Sequence, residues 1–189
     1  MKKIYLILTD TGSLVSKVLK VFTGTTYNHI SICLDYNMDE FYSFGRKVIW
    51  FPLIGGFVIE KINEGMYKIF KNTTCRIYEM EIRNEQYRKL RKSIKKYKTN
   101  ADTYKYNLPG LLGLMLNRPF KRENYYFCSQ FVATILLESG IFEFEKDPAL
   151  VTPNDFCFIP HIVPIYEGKL CEYSFNRAKV SAAGISGTI

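Results

Sequence analysis

The fifteen residues Phe127-Cys128-Ser129-Gln130-Phe131-Val132-Ala133-Thr134-Ile135-Leu136-Leu137-Glu138-Ser139-Gly140-Ile141 carry the reading of the fold. They predict a helix over about Phe127 to Ser139, with Gly140 placed to end it. Cys128 falls at the helix start, directly after Tyr125-Tyr126-Phe127. A thiol there sits near the positive end of the helix dipole and near unpaired backbone N–H groups, and both favour thiolate over thiol. The same N–H groups can hold an oxyanion as a tetrahedral intermediate forms. The plain alternative is that a cysteine near a helix start is a small buried hydrophobe.

A nucleophilic thiol needs a base, and the chain has only two histidines, His29 and His161. His29 opens a predicted strand, His29-Ile30-Ser31-Ile32-Cys33-Leu34-Asp35, which stops at the polar break Tyr36-Asn37-Met38-Asp39. A second strand resumes over Glu40 to Lys47, so the two read as a hairpin. A strand histidine facing the helix end completes a Cys–His pair. His161 follows Pro160 on a predicted loop and reads as structural.

The remaining segments build a frame around this pair. Residues 3–9 read as a strand. A helix is expected from about Leu14 to Phe22, with Ser13 as N-cap, Gly24 beyond its end, and Leu14, Val15, Val18, Leu19 and Phe22 at helical spacing. Trp50 to Gly65, with Pro52 and Gly55-Gly56, reads as a long loop with some extended structure. Tyr78, Met80 and Ile82 alternate with charged residues, as in a half-exposed strand. A basic helix is expected over about Asn84 to Tyr97, with Tyr87, Leu90, Ile94 and Tyr97 as its inward stripe. Asn107-Leu108-Pro109 reads as a cap opening a short apolar helix through Leu116. Thr152-Pro153-Asn154-Asp155 reads as another helix start, and Ile162 to Phe175 as two extended pieces turning at Glu167-Gly168-Lys169. No internal repeat or linker interrupts the chain, so residues 1–189 read as one domain, the tail after about 180 being small, apolar and without an assigned role.

Composition narrows the function classes. The apolar share of 47% and aromatic share of 15% supply a core and exclude bulk disorder. The run Ile4-Tyr5-Leu6-Ile7-Leu8 is too short for a secretory segment or a membrane span and reads as a buried first strand, which leads us to expect a cytoplasmic protein. The five cysteines, Cys33, Cys75, Cys128, Cys157 and Cys171, are odd in number and have no CxxC spacing. They suggest neither a disulfide framework nor a zinc site, and no cofactor or metal is expected. The net charge of +8 is concentrated in Arg83, Arg88, Lys89, Arg91, Lys92, Lys95, Lys96 and Lys98. This 83–98 cluster is either a solvated helix face or an attractor of anionic lipid or an acidic polymer. Nucleic acid is the poorer partner, because Tyr87 and Tyr97 fall on the inward stripe and leave no aromatics among the exposed basic residues.

The segment Tyr27-Asn28-His29-Ile30-Ser31-Ile32-Cys33-Leu34-Asp35 resembles the histidine strand of the circularly permuted NlpC-type, papain-like amidases. Phe127-Cys128-Ser129-Gln130-Phe131-Val132, running on to Glu138-Ser139-Gly140-Ile141, resembles their cysteine helix. Leu150-Val151-Thr152-Pro153-Asn154-Asp155-Phe156 is similar to a segment of the YiiX-like branch. The resemblance covers 27–46 and 124–156 and is loose between them. It implies an α+β, papain-like permuted fold, in which an antiparallel sheet packs against the helix carrying the nucleophile. It also implies cleavage of an amide or ester bond through a thioester acyl-enzyme, with His29 taking the thiol proton and later activating water or an alcohol.

A third residue normally orients the imidazole, about a dozen residues after the histidine. Matching the hydrophobic frame places Ser43 there; Glu40, with better chemistry, lies three residues earlier, and a backbone carbonyl is a further alternative. Weaker candidates are Tyr126 at the oxyanion site, Asp10-Thr11 at the end of the first strand, and Arg46 for an anionic substrate group. The leading expectation is a cysteine hydrolase of an amide bond in a small peptide or cell-wall-type fragment. The alternatives are a lipid acyltransferase or esterase docked on an anionic membrane through the basic helix, and a binding module that has lost turnover.

Overall fold

The computed structural model describes residues 1–12, 26–48 and 54–173. The helix expected over Leu14 to Phe22, part of the Trp50 loop and the tail lie outside the described residues. Eight strands are described: β1 Lys2–Asp10, β2 His29–Cys33, β3 Phe41–Arg46, β4 Gly55–Glu60, β5 Thr74–Ile82, β6 Lys105–Tyr106, β7 Tyr125–Tyr126 and β8 Val163–Lys169. The α-helices lying wholly within the described residues are α1 Gly65–Ile69, α2 Asn84–Thr99, α3 Leu108–Met115 and α4 Cys128–Glu138. Two 3₁₀ turns, Pro148–Leu150 and Pro153–Phe158, precede β8.

The main sheet has six strands in the order β4-β3-β2-β1-β5-β8, with antiparallel neighbours throughout. β1 is its central strand and is apolar on both sides, so it reads as an unbroken hydrophobic run. Ile4, Leu6 and Leu8 enter the core shared with α4, while Tyr5 and Ile7 enter a second core beneath α1. This alternation is the period of a strand at work on two buried faces. The protein is thus α+β, with an antiparallel sheet packed against helices.

Helix α4 lies on β2 and β3, and α2 packs against α4. Phe131, Val132, Ile135 and Leu136 are all buried, and Gly140 takes the positive φ that ends the helix. The stripe expected on α2 is present: Leu90, Ile94 and Tyr97 are buried, and Tyr87 donates its hydroxyl to Leu34 O at 3.1 Å. Phe44, Phe57, Tyr97, Tyr104, Tyr126 and Phe131 form an aromatic cluster between sheet and helices, with Phe44 and Phe131 centroids 5.1 Å apart. Asn107 caps α3 by accepting from Gly110 N at 3.1 Å, with Pro109 in the first turn.

The extended structure expected within Trp50 to Gly65 is β4, and its glycines explain why a strand fits there. A Cβ on Gly55 would lie 2.6 Å from Gly45 O, and one on Gly56 would lie 2.5 Å from Tyr104 O. Backbone can approach that closely only without side chains. The segment after Ile162 forms one strand through Glu167-Gly168, rather than two pieces turning there, because β5 pairs with it from Thr74 to Glu79, with one register shift between Ile77 and Tyr78.

Candidate active site

The site forms where the start of α4 meets the start of β2. Val151 O accepts the Ser129 hydroxyl at 2.6 Å, which fastens the first turn of α4 to the segment entering Pro153–Phe158. Gln130 is held by Asn107 Nδ2 at 3.4 Å. Cys128 is buried as the first residue of α4 and is therefore placed by its neighbours on both sides.

His29 is the first residue of β2, opposite Thr9 of β1. Its Nε2 lies 3.0 Å from Glu60 Oε1 and 3.2 Å from Glu60 Oε2. The two side chains are only 18% and 16% exposed, so this is a largely desolvated pair. Glu60 accepts two further bonds, from the Ser31 hydroxyl at 2.5 Å and from the Tyr67 hydroxyl at 3.3 Å. Tyr67 in turn lies 3.4 Å from Thr9 Oγ1. The carboxylate is thereby surrounded by donors from β2 and α1, which fixes its orientation toward the ring.

Burial works to lower the His29 pKa, yet the Glu60 charge, hydrogen bonds with Cys128 and Glu60, and the Cys128 charge together hold it well above 6.5. Burial likewise works to raise Glu60, but the His29 charge and the hydrogen bonds from His29, Ser31 and Tyr67 hold it below 4.5. Tyr67 goes the other way: burial first, then the Glu60 charge, hold its hydroxyl well above 10 and keep it a donor. Cys128 thus hydrogen-bonds a ring whose Nε2 is committed to the Glu60 carboxylate.

Structure thus brings Cys128 and His29 together and corrects the third residue. Ser43 does not hold the ring: its buried hydroxyl donates to Ile30 O at 2.6 Å. Glu40 accepts from Tyr42 at 2.7 Å and from Lys98 at 2.9 Å, away from the imidazole. Nor does a backbone carbonyl meet Nε2; Glu60 does. Glu60 carries no mark in the sequence reading because it falls in the segment expected to be a long loop with some extended structure. Its signal was Phe57-Val58-Ile59-Glu60, an apolar run after a Gly pair that closes on a carboxylate.

The weaker candidates separate. Tyr126 joins the aromatic cluster and hydrogen-bonds Tyr97. Asp10 Oδ1 accepts from Gly12 N at 3.0 Å and from Asn28 Nδ2 at 3.2 Å, a turn beside the site. Burial lowers the pKa of Arg46, and its neighbour Gly45 lies beside the ring, where a Cβ would stand 3.9 Å from His29 Cε1, an ordinary contact. His161 is exposed on a turn at positive φ. Tyr106 is a site residue that the sequence did not mark; burial first, then the Cys128 charge, push its pKa up.

Among the described residues no group of His, Cys, Asp and Glu side chains gathers as metal ligands, and no helix is long and apolar enough to cross a membrane. Compared with known proteins, the chain matches no family model and no curated sequence.

Proposed function

We propose that the protein is a cysteine-dependent acyl hydrolase, cleaving an amide bond in a small peptide or acylated substrate through a thioester, on a permuted papain-like fold and in the cytoplasm. One observation carries the reading. The His29 ring is shared between the thiol at the start of α4 and a carboxylate held by three donors. A residue that only filled the core would gain nothing from this arrangement, whereas a base needs its ring aimed and its charged form stabilised.

The chemistry follows from the groups present. His29 Nδ1 takes the Cys128 proton, and the thiolate attacks the substrate carbonyl carbon. The resulting oxyanion is stabilised by backbone N–H groups at the start of α4. When the tetrahedral species collapses, the C–N bond breaks and the imidazolium returns its proton to the leaving amine. Water then attacks the thioester, His29 accepting its proton and passing it to the departing thiol sulfur. Glu60 stabilises the imidazolium in both halves, which a serine at that place could not do.

A chloroacetamide probe tests this. Cys128 should label faster than the four other thiols, and His29→Ala should bring it down to their rate. Cys33 and Cys75 are buried with pKa values pushed up to about 12, so they form the slow reference, and Cys157 and Cys171 the accessible one. Labelling of Cys128 no faster than Cys157 in the wild type would defeat the catalytic reading.

A further inference from the structure

Large apolar side chains are exposed together at one place beside the site. Leu112 and Leu116 are 61% and 72% exposed, and Phe120 is 47% exposed. Leu112 and Leu116 are one turn apart, the Leu116 amide donating to Leu112 O at 3.1 Å. The chain then folds back: Arg118 N donates to Gly113 O at 2.8 Å, and Asn107 Nδ2 donates to Phe120 O at 3.0 Å. Gly113 permits the fold-back, since a Cβ there would lie 2.5 Å from Arg118 O and 3.1 Å from Phe120 Cβ. The three apolar side chains therefore stand on a braced knob rather than on a loose loop.

Within the knob itself the charges are basic, with Asp102, Glu123 and Asp147 at its edges. Between residues 103 and 122 the chain has Lys105, Arg118, Lys121 and Arg122 and no acidic residue. All four are exposed; Lys121 also reaches Asp147, and Arg122 covers the Tyr125 ring. Leu and Phe side chains ringed by Lys and Arg have the composition of an element that seats in the headgroup layer of a membrane. A second copy of the chain is the poorer occupant, because each copy carries +8.

We infer that the 108–122 knob is a docking surface for an anionic lipid bilayer, with Leu112, Leu116 and Phe120 entering the interface and Arg118 and its basic neighbours meeting the headgroups. The root of the knob is fastened to the site: Asn107 N donates to Tyr126 O at 3.0 Å, and its side chain reaches Gln130, two residues after Cys128. Docking would therefore bring the start of α4 to the membrane face. This surface stands apart from turnover by Cys128 and from the basic helix α2.

The test is co-sedimentation of the full chain with vesicles of equal parts phosphatidylcholine and phosphatidylserine, and with phosphatidylcholine alone. Binding to the anionic vesicles should fall about tenfold or more when Leu112, Leu116 and Phe120 are all changed to serine, since each loses apolar burial in the interface. It should also fall as salt rises. These side chains are exposed, so Cys128 labelling and the thermal midpoint should stay near wild type and show that the fold survives. In a second readout, Phe120→Trp should gain emission quenched by brominated lipid, beyond the signal of Trp50. The inference is overturned if wild type fails to bind at low salt, or if the triple variant binds as well as wild type. It is equally overturned if charge reversal at Arg91, Lys92 and Lys95 abolishes binding while the triple serine change leaves it intact.

Discussion

Replacing Glu60 with glutamine should invert the pH dependence that His29 gives to stability. In the wild type the Nε2–Oε1 separation of 3.0 Å corresponds to an attraction of about 5 kcal/mol at an effective dielectric of about 20. Most of that is offset by desolvating both ions, so the pair's net contribution is much smaller. Its pH window follows from the directions of the two shifts. His29 is raised above 6.5, so its stabilising contribution is complete below 6.5 and is lost as pH rises through the folded value. Glu60 is lowered below 4.5, so its contribution is complete above 4.5 and is lost as pH falls through the folded value. The pair is therefore fully stabilising between 4.5 and 6.5. In Glu60→Gln, burial becomes the dominant influence on the ring and lowers its pKa. Its neutral form then stabilises the fold above 6.5, and that contribution drains away as pH falls. Loss of stability relative to wild type should be roughly 3–5 kcal/mol near pH 5.5, the cost of leaving a buried ion unpaired. It should shrink by up to about 1.4 kcal/mol per pH unit toward pH 7.5. Urea midpoints at the two pH values, at constant m, read the difference. NMR of the two histidines adds a direct check, with His161 as internal reference. An equal loss at both pH values, or a His29 midpoint unchanged by the substitution, would refute the reasoning.

Other expectations separate the roles of neighbouring residues. Ser43→Ala should cost about 1–2 kcal/mol in urea unfolding, because Ile30 O loses a buried donor, while Cys128 labelling stays at the wild-type rate. Ser31→Ala should slow that labelling modestly, since Glu60 loses one of three donors and the others remain. Gly56→Ala should destabilise by about 1–3 kcal/mol and slow labelling too, since its Cβ would strike Tyr104 O and displace the strand that carries Glu60. Phe131→Ala should cost roughly 3–5 kcal/mol, as it empties the centre of the aromatic cluster.

How much of this could be read from the chain depended on whether the signal was local. Helix α4 announced itself through its apolar run and Gly140, α2 through its stripe, and β2–β3 through a hairpin pattern. The Cys128–His29 pair was legible because each partner marks the start of an element, and an element start is a place where backbone groups lie open. The apolar exposure of Leu112, Leu116 and Phe120 was not legible, since the same residues at the same spacing would make an ordinary buried helix. Nor does any periodicity mark the fold-back that brings Arg118 and Phe120 against Gly113, a tertiary contact.

The error over the third residue has a more specific cause. Counting along the hairpin from His29 reaches Ser43, and the count landed in the correct strand pair: β3 does lie beside β2. What it could not include is the next strand out. β4 pairs with β3 from Gly55↔Arg46 to Glu60↔Phe41, so a residue some thirty positions from His29 returns to its side of the sheet. Ser31, two residues after His29, sends its hydroxyl to the same carboxylate, and Tyr67 of α1 closes on it from the second core. The alternation of β2 therefore does two jobs. Ile30 and Ile32 join the core under α4, while Ser31 serves the carboxylate that holds the ring. A serine in the middle of an otherwise apolar strand was the local trace of Glu60. Its buried hydroxyl needed an acceptor, and a carboxylate that accepts from Ser31, Tyr67 and His29 at once is the acceptor that also helps hold the His29 pKa up.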